Sequence, residues 1–188
     1  MPGRKGGDGV MTFERWRSEL ERELKINILG FWMNHARDDK HGGFVGEIRD
    51  DMTVVSDADK GLVLNARILW TFASAYRIYG EPVYLETADR AYEALERFDD
   101  PLHGGMYWMI DAKGAPTRDK KQVYGQAFAI YALAEYYRAT GAAKALVRAE
   151  GLYRLLEKHL TIRCASATSK RSRGIGRRRT TCPSAAKT

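Results

Sequence analysis

Asp38-Asp39-Lys40-His41-Gly42-Gly43-Phe44 returns 62 residues later as Asp100-Pro101-Leu102-His103-Gly104-Gly105-Met106. Each copy follows a stretch with helical apolar spacing and precedes a short, strand-like apolar run. A fixed period of this size marks a repeated supersecondary unit that cannot bury its apolar face alone and must stack on its neighbours.

Working outward from the copies, Phe13, Trp16, Leu20, Leu24 and Ile28 recur at three- and four-residue steps, so Thr12 to about His35 reads as one long helix packing by a single stripe. Leu62 to Tyr79 leaves almost no polar face, which predicts a helix buried nearly all round. Pro82 then opens an amphipathic helix ending near Phe98. A second apolar helix, Gln122 to Thr140, is followed after Gly141 by a second amphipathic one, Ala142 to Leu160. The two pairs align at an offset of 61, with Asn65 on Gln126, Trp70 on Tyr131, Arg77 on Arg138 and Gly80 on Gly141. Buried helices alternating with one-faced helices suit a closed double ring, in which neighbours flank each inner helix and its partner covers it outside. An open helical solenoid is the competing architecture. The aromatic insertion Gly104 to Gly114 between hairpins favours the ring.

The 188 residues hold 31 Lys and Arg against 24 Asp and Glu, and a pI near 9.4. That charge is local. Eight of the basic residues and no acidic ones fall in 161–188, so the rest is near neutral. Both cysteines, Cys164 and Cys182, lie in the same tail, leaving the body without a disulfide framework or thiolate metal site. No run approaches a membrane-spanning length, and Met1 to Val10 lacks the apolar stretch of a secretory signal. The expectation is a cytoplasmic protein with no membrane partner.

The tail breaks the period. A third copy is due at residue 162, where the chain reads Ile162-Arg163-Cys164-Ala165-Ser166-Ala167. Joining the third base of each codon to the first two of the next, among the synonymous codons allowed, gives a different reading from Thr161. It runs Asp-Pro-Leu, two variable residues, then Gly-Tyr-Ile-Glu-Ala-Phe-Thr-Arg-Asp-Trp-Thr-Pro-Ala-Asp-Asp-Met. The Asp falls where the period requires it, and acidic residues return. A nucleic-acid arm around Arg177-Arg178-Arg179 competes, but no aromatic residue interleaves the charges. The expected organisation is a disordered N-terminus over 1–11, a partial helical barrel over 12–160 and an out-of-frame, disordered basic tail over 161–188, with no nucleic-acid partner.

Arg67 lies inside the most apolar helix. A guanidinium stays charged and is costly to bury alone, so it pairs with a core carboxylate or points into a wet cavity on the ring axis. Tyr124 and Gln126 open the second inner helix, where polar groups would face a funnel mouth; a core role for Tyr124 is the alternative. Tyr107 and Trp108 follow Gly105, and aromatic rings beside a cavity suit the apolar faces of sugars, or else pack a β-hairpin. His41 and His103 sit in equivalent loops and read as a repeated turn device. His35 and His159, near helix ends, suit the helix dipole. No phosphate loop, nucleophile elbow or His-Glu metal motif is present, so neither a metal nor a cofactor is expected.

Three blocks carry a resemblance: Val63-Leu64-Asn65-Ala66-Arg67-Ile68-Leu69-Trp70-Thr71-Phe72-Ala73, His103-Gly104-Gly105-Met106-Tyr107-Trp108-Met109 and Val123-Tyr124-Gly125-Gln126-Ala127-Phe128-Ala129-Ile130-Tyr131-Ala132-Leu133. From about Thr12 to His159 the chain resembles the N-acylglucosamine 2-epimerase superfamily, and within it the cellobiose 2-epimerases. The resemblance implies an all-α fold, the N-terminal part of an (α/α)6 barrel. It also implies inversion of C2 of the reducing-end sugar in β-1,4 disaccharides through a cis-enediolate, without metal or nucleotide. Arg67 matches the family arginine that steadies the enediolate oxygens, and Tyr124 a residue lining the same pocket; Asn65, Gln126 and Trp108 complete the expected substrate-binding set. Two histidines transfer the protons in the family. They belong to later hairpins, and none of His35, His41, His103 or His159 matches them. Five helices of twelve cannot close the ring, so these residues alone are expected to be inactive. The alternatives are an aldose–ketose isomerase of the same superfamily and a non-catalytic helical-repeat binding module. An (α/α)6 glycosidase would need two carboxylates facing the funnel, and the inner helices offer only Glu135.

Overall fold

The computed structural model describes residues 12–171, and side-chain surroundings for 12–159. The first helical stretch is continuous but not uniform: α1 (Phe13–Arg22) passes through a π-helical segment (Glu23–Leu29) into α2 (Gly30–His35). Thr12 caps it, its Oγ1 accepting the Arg15 N–H at 3.3 Å. A two-stranded antiparallel ribbon follows, β1 (Glu47–Ile48) on β2 (Val54–Val55). Then β3 (Lys60–Gly61) leads into α3 (Leu62–Tyr79) and α4 (Pro82–Glu96). After the second loop, β4 (Met109–Ile110) pairs with both β3 and β5 (Pro116–Arg118), and α5 (Val123–Thr140) and α6 (Ala143–Arg171) complete the second hairpin.

Each hairpin turns at a glycine whose left-handed backbone ends the inner helix, Gly80 at φ 70° and Gly141 at φ 73°, and each glycine N–H returns to the helix, onto the carbonyls of Tyr76 and Tyr137. Glycine adopts this conformation without a Cβ penalty. Helix α3 packs on α4 and α5, and α5 on α6, which puts α3 and α5 side by side with α4 and α6 behind them. The core lies between the layers. Leu69, Phe72, Ala73, Tyr84, Ala88, Ala91, Leu95, Ala129 and Leu133 are buried there, and Tyr92 stacks on Tyr136 with centroids 4.7 Å apart. The alanines let the helices approach closely.

Three expectations are corrected. Helices α3 and α5 are not buried all round: Arg67, Tyr124, Ala127 and Tyr131 are exposed along one shared face. Composition fixed the faces toward α4 and α6 but not the third, which no described element covers. The stripe of the first helix also stands open, with Phe13 83%, Trp16 50% and Leu20 63% exposed and no residue of α1 buried. Only its later part joins the core, through Leu29, Trp32 and Met33. Finally, α6 runs past the expected boundary at 160 to Arg171, because no Gly or Pro interrupts the chain between Thr161 and Arg173. The remaining tail and residues 1–11 lie outside the described residues.

Candidate active site

The open face of α3 and α5 lies opposite the side covered by α4 and α6. Positions 63, 67 and 70 of α3 align with 124, 128 and 131 of α5, so the same helical register aims two rows of side chains at the same space. Trp70 and Tyr131 stack across the two helices with centroids 5.1 Å apart. Tyr124 meets Phe128 edge-on at 4.8 Å, and with Ala127 and Tyr131 they line a shallow depression of about 270 Å³. On the side of α3 toward Ile28 and Trp32, Arg67 lines a groove of about 480 Å³ with Val63, Leu64 and Thr71.

Arg67 makes no ion pair or side-chain hydrogen bond among the described residues. Of the two expected situations, the core carboxylate is not found, and the guanidinium stands in an open groove walled by hydrocarbon and indole. Asn65 and Gln126 lie elsewhere. Both are buried, on the side of their helices away from Arg67. Asn65 Nδ2 donates to the Gly61 carbonyl at 2.9 Å, while its Oδ1 is buried without a partner. Gln126 is fully engaged: its Oε1 accepts the Met106 N–H and its Nε2 donates to the Met106 carbonyl, both at 2.8 Å. It positions the second loop from below. Trp108 is half-buried over Gly125, where a Cβ would come within 3.1 Å of the indole, and its carbonyl accepts the Leu62 N–H at 3.1 Å. The site residues therefore divide into an exposed group, Arg67 and Tyr124, and a supporting group, Asn65, Gln126 and Trp108.

The hub of each repeated loop is its aspartate, not its histidine. Asp38 Oδ1 accepts the N–H groups of Lys40 and His41, and its Oδ2 receives Lys60 Nζ at 2.6 Å. In the second copy Asp100 accepts from Leu102 and His103, and Lys121 closes on it. Burial pushes the Asp38 pKa up, but the Lys60 hydrogen bond, the His41 N–H and the two charges outweigh it and the net shift is downward. The Lys121 hydrogen bond leads the causes that hold Asp100 well below the ordinary carboxylate range. A sequence signal for this clasp existed: Lys60 and Lys121 are 61 residues apart, the offset that aligns the inner helices.

Glu135 is buried at the far end of α5, accepting from Ser74 Oγ at 3.1 Å, Arg77 Nε at 2.7 Å and Arg138 Nη1 at 2.8 Å. Burial raises its pKa, the three donors more than compensate, and the net shift is downward. A carboxylate so satisfied is a structural anchor between the inner helices, which removes the only inner carboxylate from glycosidase chemistry. Among the described residues, no three His, Cys, Asp or Glu side chains gather as metal ligands.

Comparison with known proteins agrees with this geometry. The cellobiose 2-epimerase of Bacteroides fragilis is 44% identical over 144 residues, 76% of this chain and 37% of that protein. The solved cellobiose 2-epimerase of Bacillus thermoamylovorans superposes with a TM-score of 0.74 at 43% identity, over 77% of this chain and 37% of its own. A D-mannose isomerase structure superposes at 0.67 with 28% identity, over 76% and 36%. The chain thus spans little more than a third of the length of the relatives it matches. The fold is that of the (α/α)6 barrel proteins, of which these residues form a part. The family model described as N-acylglucosamine 2-epimerase matches residues 42–177, and the chain belongs to that family.

Proposed function

We propose that these residues are the enediolate-stabilising part of a cytoplasmic sugar 2-epimerase acting on the reducing-end glucose of cellobiose-type β-1,4 disaccharides. The observation that carries the reading is Arg67, a guanidinium with no carboxylate partner among the described residues, on an open face shared with Tyr124, Tyr131 and Trp70. Removing the C2 proton of an open-chain aldose spreads negative charge over O1 and O2. A fixed cation aimed at those oxygens stabilises that charge more than it stabilises the neutral substrate, which is the condition for lowering a barrier. The aromatic row offers flat apolar surfaces to pyranose rings. Gln126 and Lys121 act as positioning residues, holding the loop that carries Trp108.

Returning the proton to the opposite face of C2 inverts that centre and completes the epimerisation. This requires an acid and a base on the same open side. His35, His41, His103 and His159 all lie off α3 and α5, so these groups come from polypeptide beyond the described residues, and the 188-residue chain alone does not turn over. The test is NMR of cellobiose incubated with the purified chain and with a version whose reading frame is restored from codon 161. The restored protein is expected to produce a mannose-configured reducing end, and the 188-residue chain none. Turnover by the short chain, or no epimer from a folded restored chain, would contradict the proposal. Similarity to a D-mannose isomerase favours a second reading, an aldose–ketose isomerase that shares the enediolate and returns the proton at C1; a ketose product would identify it.

A further inference from the structure

The two repeated turns have the same backbone. Asp38 N–H donates to the Gly43 carbonyl at 3.0 Å and Gly42 N–H to the Asp38 carbonyl at 2.8 Å; in the second copy Asp100 N–H donates to the Gly105 carbonyl at 2.8 Å and Gly104 N–H to the Asp100 carbonyl at 3.0 Å. The glycine pairs repeat as well, with φ 78° and 70° at Gly42 and Gly43 and 70° and 76° at Gly104 and Gly105. Each turn therefore presents two carbonyls that have a second lone pair to offer. In the first copy one guanidinium takes both: Arg90 of α4 donates from Nε to Gly43 and from Nη2 to Asp38. In the second copy the matching carbonyls of Gly105 and Asp100 receive no side-chain donor among the described residues. Gly151 stands on α6 at the position of Arg90, and a Cβ there meets nothing within 4 Å. Together with Asp100, Gly104 and Gly105 it lines a void of about 300 Å³.

We propose that this void is a binding site for a small-molecule guanidinium, a cation of the arginine class, which takes the place of the missing side chain. The planar fork of a guanidinium matches two carbonyls at a fixed spacing, whereas an ammonium is a compact point charge. The electrostatics agree. Asp99 bridges Met106 as Arg37 bridges Phe44, so the second turn has an acidic neighbour where the first has a basic one. The cations nearby are already paired: Lys121 closes on Asp100, and Arg148 reaches Asp99 at 2.8 Å with Glu96 3.8 Å away, which leaves one carboxylate in excess. Bound there, a guanidinium ties the second turn to α6 as Arg90 ties the first to α4, and it steadies the loop that carries Trp108. The inference rests on the difference between two copies of one turn and not on the sugar chemistry.

Amide NMR of the isotope-labelled 188-residue protein, titrated with methylguanidinium chloride, tests it with a control inside the same molecule. The Gly104, Gly105 and Gly151 resonances should shift saturably, while those of Gly42 and Gly43, in the turn that Arg90 already occupies, stay in place. Methylammonium chloride at equal ionic strength should bind about tenfold more weakly or worse, because it forfeits one charge-assisted hydrogen bond. Gly151→Arg should abolish the response by supplying the group covalently, and Arg90→Gly should open the same site in the first turn, so that Gly42 and Gly43 then respond. Shifts that do not saturate, equal binding of methylammonium, equal shifts at both turns of the parent protein, or a response that survives in Gly151→Arg would each overturn the proposal. So would a folded Arg90→Gly protein in which Gly42 and Gly43 stay silent.

Discussion

The loops at 38–44 and 100–106 share a turn but not an environment. In the first, Arg90 donates to the carbonyls of Gly43 at 2.9 Å and Asp38 at 2.6 Å, Arg97 closes on the His41 carbonyl, and the His41 side chain is 14% exposed. In the second, Gly151 occupies the place of Arg90, a void of about 300 Å³ opens beside Gly104 and Gly105, and the His103 side chain is 77% exposed. The aspartate and glycine pair set the turn, and the next repeat decides whether it is buried. A repeat protein's stability is a sum of intrinsic and neighbour terms; both loops have the intrinsic term, and the neighbour of the second offers glycine where that of the first offers the Arg90 clamp.

Acid should break both copies together. Asp38, Asp100 and Glu135 all have pKa values below their ordinary positions of 3.8, 3.8 and 4.5. As pH falls, the unfolded chain therefore takes up protons first. The stabilisation is complete above about pH 5 and is lost progressively below about pH 4. Thermal melts across this range should show a falling midpoint; a flat profile down to pH 3 would disconnect the clasps from stability.

Single changes sharpen the comparison. Lys60→Met leaves Asp38 buried without its cation and should cost about 3–5 kcal/mol by denaturant unfolding, while Lys121→Met, at a more exposed site, should cost clearly less. Equal losses would mean that burial of the clasp does not matter. Arg90→Ala, which removes the clamp under the first loop only, should cost about 1–3 kcal/mol. The smallest expected effect has the opposite sign. A Cβ at Gly151 meets nothing within 4 Å, so Gly151→Ala should raise stability by about 0.5–1 kcal/mol through helix propensity.

The repeat, the two hairpins and their glycine turns were legible because local spacing and backbone chemistry determine them. The exposure of Arg67 was not. An apolar helix declares how much of it is buried, while its neighbours decide which side, and α3 packs chiefly on α4 and α5. The same gap explains α1, whose Phe13, Trp16 and Leu20 are patterned for a partner. Gln126 has the polarity of a group at a mouth, but its length lets it span both backbone groups of Met106, whereas the shorter Asn65 reaches only Gly61. The aspartate-lysine clasps are written in the period, since Lys60 and Lys121 stand at the offset that aligns the inner helices. DNA sequencing across codon 161 addresses the tail: a base lost or gained there relative to related genes is expected, and an undisturbed frame would contradict the reading.

The central claim is that Arg67 meets negative charge developing on a sugar. With the frame-restored protein in deuterium oxide, the C2 proton of the reducing-end glucose of cellobiose should exchange for deuterium as the mannose-configured product appears. Arg67→Met should slow that exchange by about a hundredfold or more while leaving the circular dichroism spectrum unchanged. Exchange at the parent rate in Arg67→Met would contradict the account.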